Sequence, residues 1–202
     1  CVRCIKVKNN IALQEACIKL GYPDKKIILK PIIGRGRRDT FVLCEKTYTN
    51  KITDMPPFMT LKEAINKKII NNNMMVMEYI DGDSITIDVL ANNGDIVQVI
   101  PRIWNEKWRF PFPGQKIISD KNINQLILTI NQIKKLHGLF DVDIIRTKEG
   151  KIKFLEINPR PSGSIAVSEI AGVPIFSMLE NVLKGAQVKN MSLELPKEIN
   201  NI

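Results

Sequence analysis

The sequence has few of the features that mark membrane-spanning, secreted or covalently acting proteins. No uninterrupted apolar run in its 202 residues approaches the length of about 20 that a membrane span needs. Its first residues lack the charged start and apolar core of a secretory signal. The single histidine, His137, leaves no Ser-His-Asp or Cys-His arrangement for a covalent nucleophile. We interpret His137, at a predicted helix end, as structural, and we expect a soluble, cytoplasmic protein with no membrane partner.

Cysteine is also scarce. The four cysteines include one Cys-x-x-Cys pair, Cys1 and Cys4, with neither a second pair nor a histidine nearby. This pattern gives little support for a zinc or redox centre, and free cytosolic thiols are the better interpretation. Because the sequence begins with Cys1 rather than Met, we expect a piece of a longer chain in which residues 1–8 end an upstream segment.

The sequence does contain an ordinary globular composition with an excess of positive charge. Hydrophobic residues make up 44% and charged residues 25%, values typical of a globular protein long enough to form a core. The net charge of +9 would suit nucleic acid, anionic lipid or phosphorylated ligands. The basic residues are mostly scattered, however, and they lie among aromatic residues only near Trp104, Lys107, Trp108 and Arg109. A nucleic-acid partner is therefore disfavoured.

Apolar periodicity and turn signals predict an α+β fold. Capping and stop signals indicate the helices, and apolar runs or alternation between turns indicate the strands. The predicted helices are 10–20, 60–70, 120–137 and two short ones after 164, and the predicted strands are 26–31, 40–44, 74–80, 84–91, 96–101 and a hairpin at 143–158. Residues 102–115 are predicted to form an irregular loop. Because helices and strands do not alternate as βαβ units, we expect antiparallel sheets.

Three oxygen-bearing side chains predict a metal site. Glu156 and Asn158 are two residues apart, so in a strand they share one face. If Glu149 and Gly150 form a two-residue hairpin loop, counting back along the hairpin places Asp143 opposite Glu156. Carboxylate and amide oxygens are ligands that Mg²⁺ binds together with substrate phosphates. The alternative is that these residues are solvated on a half-exposed strand that ends in an Asn-Pro turn.

Four sequence blocks, in this order and spacing, make the chain resemble the ATP-grasp superfamily over about residues 9 to 188. The blocks are Gly21 to Gly36, Met77 to Gly82, Ile100 to Arg102 and Val142 to Arg160. The carbamoyl-phosphate-synthetase-like branch of carboxylate-amine ligases is the most similar. The resemblance implies two lobes, with antiparallel sheets and flanking helices, that clasp a nucleotide. The implied boundaries are an N-terminal lobe at 9–80, a C-terminal lobe at 81–188 and a tail at 189–202.

The resemblance also implies an enzyme that uses ATP with Mg²⁺ or Mn²⁺. In this branch ATP phosphorylates a substrate carboxylate, and an amine or similar nucleophile then displaces phosphate from the acyl-phosphate. The implied partners are the nucleotide, small carboxylate and amine substrates, and a Rossmann-like domain upstream of Cys1. The alternative is an ATP-binding domain or pseudo-enzyme that binds nucleotide without ligase turnover.

For the phosphates, the resemblance implies Lys30 and the glycines Gly34 and Gly36. Lys30 would act as a point charge, and the glycines would let backbone N–H groups approach the phosphate oxygens. A plain hairpin with surface lysines is the alternative interpretation. The loop departs from the family pattern, because Arg37 and Asp39 stand where a small residue and a glycine are usual.

For the nucleoside, the resemblance implies the segment between the two lobes. Main-chain groups of Glu78 and Ile80, on either side of Tyr79, would contact adenine. Asp83 would hold the ribose, because Ser84 occupies the position that is more usually acidic. A core strand that ends in a turn is compatible with the same residues.

For the chemistry, the resemblance implies two arginines and two serines. Arg102 matches a position whose cation faces the transferred γ-phosphate, where it would stabilise developing charge. Arg160 matches a position that holds phosphate or the acyl-phosphate. Ser162 and Ser164 would meet the substrate in a loop of small residues, and Asp143, Glu156 and Asn158 would bind the metal.

Overall fold

The computed structural model describes residues 2–34, 38–46, 56–71, 73–104, 115–186 and 198–199. They divide into two compact units, Cys1–Ile80 and Asp81–Ile202. Each unit combines one mostly antiparallel sheet with helices, so the predicted α+β fold class is confirmed. No helix within the described ranges is both long and apolar enough to cross a membrane.

The first unit is built on a five-stranded sheet with the strand order β1-β5-β2-β3-β4. Its elements are β1 (Cys4–Val7), α1 (Asn10–Leu20), β2 (Ile27–Pro31), β3 (Phe41–Leu43), β4 (Phe58–Met59), α2 (Leu61–Asn66) and β5 (Met74–Glu78). Both helices contribute to one apolar core with the sheet, through residues such as Leu13 and Ala64. The sequence did not indicate β1 or β4, because strands of four and two residues are too short to show a period.

Local signals determine where α2 begins and ends. Thr60 and Glu63 form the predicted capping box, in which each side chain binds the backbone N–H of the other residue. The prediction that this helix reaches Ile70 is wrong. It ends at Asn66, because Lys68 adopts a left-handed backbone conformation with φ of 52°.

The second unit is built on a six-stranded sheet with the order β10-β9-β6-β7-β8-β11. Its elements are β6 (Gly82–Asn92), β7 (Asp95–Trp104), β8 (Gln115–Ile117), α3 (Lys121–Lys134), β9 (Gly138–Thr147), β10 (Ile152–Asn158), α4 (Ala166–Ile170), α5 (Ile175–Leu183) and β11 (Glu198–Ile199). α3 buries Ile123 and Ile127 against one face of the sheet. The segment with α4 and α5 forms the core on the other face, where Val173 and Ile175 are fully buried.

The turn between β6 and β7 has the predicted Asn-Gly conformation. Asn93 and Gly94 have φ of 47° and 95°, as a two-residue hairpin turn requires. The backbone N–H of Asn93 donates to His137 Nδ1 at 3.1 Å. The only histidine of the chain therefore contacts the hairpin turn from the segment that follows α3.

Two other predicted boundaries in this unit are wrong. β7 continues to Trp104, because Arg102 pairs with Thr86 of β6. Arg102 therefore lies inside the sheet and not in a loop, while residues 105–114 lie outside the described part of the chain. α3 ends at Lys134, where Lys135 adopts φ of 45°, and Gly138 begins β9 instead of ending the helix.

Candidate functional site

The hairpin that carries the predicted metal ligands has the predicted pairing but a different turn. The backbone bond from Thr147 N to Lys151 O, at 2.9 Å, encloses a loop of three residues in place of the two predicted. The additional loop residue shifts the register by one position, and a bulge at Leu155 shifts it back. Glu156 therefore pairs with Asp143, as the sequence predicts.

Two rows of polar side chains cross one face of the second sheet. From β10 to β6, the first row is Glu156, Asp143 and Thr86, and the second row is Asn158, Asp141 and Asp88. Alternate residues of a strand point to the same side, and Leu90 of β6 belongs to the core on the side of α4 and α5. The three predicted metal ligands therefore share this face with two further carboxylates.

One contact within the first row and one between the two rows suit a cation. Thr86 Oγ1 donates to Asp143 Oδ1 at 2.9 Å, and Asn158 Nδ2 donates to Glu156 Oε1 at 3.3 Å. Mg²⁺ takes oxygen ligands and completes its octahedron with water and phosphate oxygens, so two carboxylates and one amide oxygen fit it. To bind the ion, Asn158 must turn its amide so that the oxygen replaces the nitrogen.

The amide ligand is essential to this fit. Within the ranges that the structure describes, no group of three or more His, Cys, Asp or Glu side chains is arranged to hold a metal ion. Asp143 and Glu156 provide two carboxylates. A metal site on this face therefore depends on Asn158 and on oxygens from a ligand.

Burial and neighbouring charges perturb the carboxyl group of Asp141 on this face. It is 4% exposed, and one of its oxygens, Oδ1, is buried without a hydrogen-bond partner. Burial, with the neighbouring charges of Asp143 and Asp88, raises its pKa to about 7, and Arg160 and Arg102 offset part of that rise. At neutral pH the carboxyl group of Asp141 is therefore close to half protonated. A cation bound beside it would favour the ionised form.

Arg102 lies below this surface and is fully buried. Its Nη2 is 2.7 Å from Asp88 Oδ2 and donates to Ser162 Oγ at 2.7 Å. Its Nη1 donates to Gln115 Oε1 at 2.5 Å and to the carbonyl and hydroxyl oxygens of Ser164, both at 2.8 Å. Both terminal nitrogens are thus occupied by protein atoms. Burial lowers the pKa of Arg102, whereas Asp88 and Asp141 raise it.

Arg160 lies at the edge of the same face. Its side chain is half exposed, its Nη1 is 3.5 Å from Asp141 Oδ2, and the same nitrogen donates to Pro161 O at 2.9 Å. Arg160 therefore presents a cation beside the two polar rows. Of the two predicted arginines, it is the one whose guanidinium reaches solvent.

The predicted phosphate loop is described in part. Lys30 is half buried in β2, paired with Met75, and Gly34 is exposed. A Cβ added to Gly34 would lie 3.4 Å from Pro31 Cβ, an ordinary contact, so packing does not require a glycine there. Gly36 and Arg37 lie outside the described residues, whereas Asp39 adopts a left-handed φ of 55°. A left-handed φ favours glycine, the residue that the resemblance implies at this position.

The predicted adenine segment follows β5. The backbone N–H of Glu78 donates to Arg3 O at 3.1 Å, and its carboxylate accepts from Arg3 N and Nε. Glu78 also pairs with Ile27 of β2. Its main chain is thus engaged in the sheet. Tyr79 and Ile80 follow the end of the strand, and Lys26 Nζ lies 5.3 Å from the ring centroid of Tyr79.

The predicted ribose ligand begins β6. Asp83 Oδ2 accepts from Arg146 Nη2 at 2.9 Å, and its side chain is half exposed. Gly82, which precedes it, lies against β9: an added Cβ would be 2.3 Å from the carbonyl oxygen of Arg146. The glycine of this sequence block therefore has a packing reason that is independent of any ligand.

Sequence reasoning missed several members of the site. Asp88 and Thr86 could have been found, since they lie on the polar side of an alternating strand. Asp141 could also have been found, because it is two residues before Asp143 and so lies on the same face of the strand. No sequence pattern indicated Gln115, because its contacts with Arg102 and Ser164 join segments that are far apart in the sequence.

The family described as ATP-grasp in the biosynthetic pathway with Ter operon matches residues 71–201, more than half of the chain. The carbamoyl phosphate synthase large chain of Thermoanaerobacter pseudethanolicus is 25% identical over 194 residues. That alignment covers 88% of this chain but only 16% of the relative, so the chain spans a small part of the curated protein that it matches.

Solved structures share the fold. N5-carboxyaminoimidazole synthetase from Staphylococcus aureus, complexed with ADP, superposes with a TM-score of 0.64 at 21% identity, over 94% of this chain and 48% of that one. The biotin carboxylase domain of 2-oxoglutarate carboxylase from Hydrogenobacter thermophilus was solved in complex with MgADP, ADP and bicarbonate. It superposes with a TM-score of 0.65 at 17% identity, over 94% of this chain and 42% of that one. At these identities the likeness establishes the fold alone.

Proposed function

We propose that this chain, which belongs to the ATP-grasp family, is the nucleotide-binding part of an ATP-dependent carboxylate-amine ligase. In this reaction the γ-phosphoryl group of ATP moves to a carboxylate oxygen and ADP leaves. An amine then attacks the acyl carbon, and phosphate leaves with the former carboxylate oxygen. The carbamoyl phosphate synthase relative supports this class of reaction.

The observation that carries the proposal is the common face of Asp143, Glu156 and Asn158. These three residues would hold Mg²⁺, and Mn²⁺, which accepts the same oxygen ligands, would substitute for it. When bound, the ion neutralises charge on the phosphate oxygens during transfer. The complex of a related fold with MgADP supports the choice of ion.

The chain's own residues would bind and orient the nucleotide. Lys30 would place its ammonium at a phosphate, and Gly34 would let the backbone approach. Tyr79 and Ile80 would supply the main-chain contacts to adenine, because the N–H of Glu78 is already bound to Arg3 O. Asp83 would exchange its pairing with Arg146 for a ribose hydroxyl.

Arg160 is the residue that we assign to the transferred phosphoryl group. It is half exposed and adjoins Asp141, so its charge is fixed near the proposed metal ligands. A cation held in place before the reaction stabilises phosphoryl charge without reorganisation. Ser162 and Ser164 follow in the same loop, where we place the carboxylate and amine substrates.

A second candidate function is nucleotide binding without ligase turnover. It is favoured by the departure of Arg37 and Asp39 from the family pattern and by the burial of Arg102, whose terminal nitrogens are occupied. We further propose that a Rossmann-like domain upstream of Cys1 completes the acceptor site in the full-length protein, because an acyl-phosphate must be shielded from water. A cytoplasmic location fits the use of ATP.

Isothermal titration calorimetry tests the proposed binding. ADP titrated into the protein with excess Mg²⁺ is expected to bind, and ADP with EDTA is expected to bind at least about tenfold more weakly. Bound nucleotide also raises the melting temperature, because it prefers the native state. Absence of heat and of any thermal shift in folded protein would contradict the proposal.

Turnover distinguishes the two candidates. Phosphate release from MgATP would be measured with the full-length protein across a panel of amino acids and small carboxylic acids. A ligase shows release that depends on a carboxylate and an amine. Binding of MgADP without any stimulated release favours the second candidate.

A further inference from the structure

A buried polar network joins the second sheet to the loop that follows β10. We propose that Arg102 is a positioning residue: it fixes Ser162 and Ser164, and through their loop it holds Arg160 where the phosphoryl group is transferred. This inference rests on the proposed function and deepens it. It differs from the role that the resemblance implies for Arg102, which is direct contact with phosphate.

The geometry of the guanidinium carries the proposal. Nη2 donates to Ser162 Oγ at 2.7 Å, and Nη1 donates to Ser164 O and Oγ at 2.8 Å. Arg102 is fully buried, with 0% of its surface exposed. Its two terminal nitrogens therefore have no free N–H for a phosphate, while they bind the loop at two points. The planar fork of arginine is suited to this, because its donors are fixed relative to one another.

The charge of Arg102 is balanced inside the protein. Asp88 Oδ2 lies 2.7 Å from Nη2, and Ser168 Oγ donates to the same carboxylate oxygen at 2.8 Å. Asp88 and Ser168 are themselves 1% and 0% exposed. A buried guanidinium without this partner would be strongly destabilising. The network thus has one ion pair at its centre and hydroxyl groups at its periphery.

The loop contacts the sheet through this network. Gln115 of β8 accepts from Arg102 and donates to Ser164 Oγ at 3.2 Å, which adds a second link to the same serine. The backbone bonds of the loop are local: Arg160 N donates to Asn158 O, and Ile165 N donates to Ser162 O at 3.3 Å. Arg102 and Gln115 therefore tie the loop to strands that are distant in sequence.

Arg160 gains its position from this anchoring. It precedes Ser162 by two residues, and its own side-chain contact with Asp141 is long, at 3.5 Å. A side chain that is half exposed and weakly paired loses orientation when its backbone moves. Misplacement by about 1 Å is enough to impair a positioned catalytic group. Loosening Ser162 and Ser164 should therefore weaken what Arg160 contributes and leave the remaining nucleotide contacts unchanged.

Arg102→Lys is the informative variant, because it keeps the charge beside Asp88 and removes the fork. Lys184→Gln is the matched control: Lys184 is an exposed cation of the same unit that pairs with Glu180 on α5. The first measurement is hydrogen exchange of the peptide that covers residues 159–165, with Mg²⁺ and ADP present. The second is the ratio of Kd values for MgADP and for a non-hydrolysable Mg-ATP analogue.

We expect Arg102→Lys to speed exchange of the loop amides by about tenfold, the factor for the loss of one hydrogen bond to a charged group. We expect the preference for the triphosphate analogue to fall by about tenfold as well, with the Kd of MgADP within about twofold of the wild type. A merely structural role would not separate the two nucleotides. Lys184→Gln should match the wild type in both measurements.

The inference is overturned if Arg102→Lys leaves loop exchange and the nucleotide ratio unchanged, or if it weakens both nucleotides equally. If this variant does not fold, Ser162→Ala decides in the same two measurements, because it removes one anchor and keeps the ion pair. A wild-type protein that does not bind MgADP overturns the proposed function, and with it the positioning role. Loop exchange would then still show whether Arg102 anchors the loop.

Discussion

The glycine that opens β6 provides a sharp test of the described fold. Gly82→Ala adds a Cβ that would lie 2.3 Å from the carbonyl oxygen of Arg146 and 2.9 Å from Ile145 Cγ2. Unbonded carbon and oxygen atoms approach no closer than about 3 Å, so β6 and β9 must separate by about 0.7 Å at this point. Overpacking of this kind costs about 1–3 kcal/mol. Because the obstacle is backbone, we expect a loss near the upper end of that range.

The measurement is urea denaturation followed by circular dichroism, with Gly163→Ala as the control. No atom lies within 4 Å of a Cβ added to Gly163, so that variant should stay within about 0.5 kcal/mol of the wild type. The free energy of unfolding should therefore differ between the two variants by about 2 kcal/mol or more. Equal stability of the two variants would refute the pairing of Gly82 with β9 and the reason given for this glycine.

The remaining predictions concern the metal ligands, the phosphate lysine, one buried thiol and one helix cap. Glu156→Gln should raise the Kd of ADP in Mg²⁺ by about tenfold or more by calorimetry, and an unchanged Kd would contradict the metal assignment. Lys30→Ala should weaken nucleotide binding with little change in the melting temperature; an unfolded variant would indicate a packing role instead. Burial raises the pKa of Cys17 to about 12, so iodoacetamide at pH 8 should label exposed Cys4 and spare Cys17 until the protein is unfolded. Thr60→Ala should cost about 1 kcal/mol by removing the capping box, whereas Thr60→Ser should be nearly neutral.

The sequence predicted the features that depend on neighbouring residues. The capping box of Thr60 and Glu63 and the turn at Asn93 and Gly94 were read correctly, because the chemistry of each lies within four residues. The alternation in β6 was also read correctly, because Ile85, Ile87 and Val89 face the core with α3 while Thr86 and Asp88 face the polar rows on the other side. These signals were sufficient for the fold class and for most elements.

Long-range contacts explain what the sequence could not predict. The pairing of Glu156 with Asp143 was predicted from a two-residue turn, whereas the structure reaches it through a three-residue loop and a bulge at Leu155. The longer loop and the bulge shift the register in opposite directions and cancel. The correct pairing of Glu156 with Asp143 therefore does not show that the assumed two-residue turn was right. Arg102 is the clearest case. Its burial depends on Gln115 and Ser162, whose proximity only the folded sheet creates.

The prediction for the end of α3 failed for a different reason. The apolar stripe continues through Ile133 and Leu136, so periodicity alone extends the helix to Gly138. In the structure Ile133 is 72% exposed and the helix stops at Lys134. Apolar periodicity therefore overstated both the length of this helix and the area that it buries.

The location of a bound metal tests the central claim most directly. A crystal structure of the protein with Mn²⁺ and ADP, recorded with anomalous scattering, would give that location without reference to any assay. The account predicts an anomalous peak about 2.1–2.2 Å from oxygens of Asp143 and Glu156, with the amide oxygen of Asn158 turned toward it and phosphate oxygens completing the shell. Ordered ADP with no peak on this face, or with its metal held by other residues, would contradict the account.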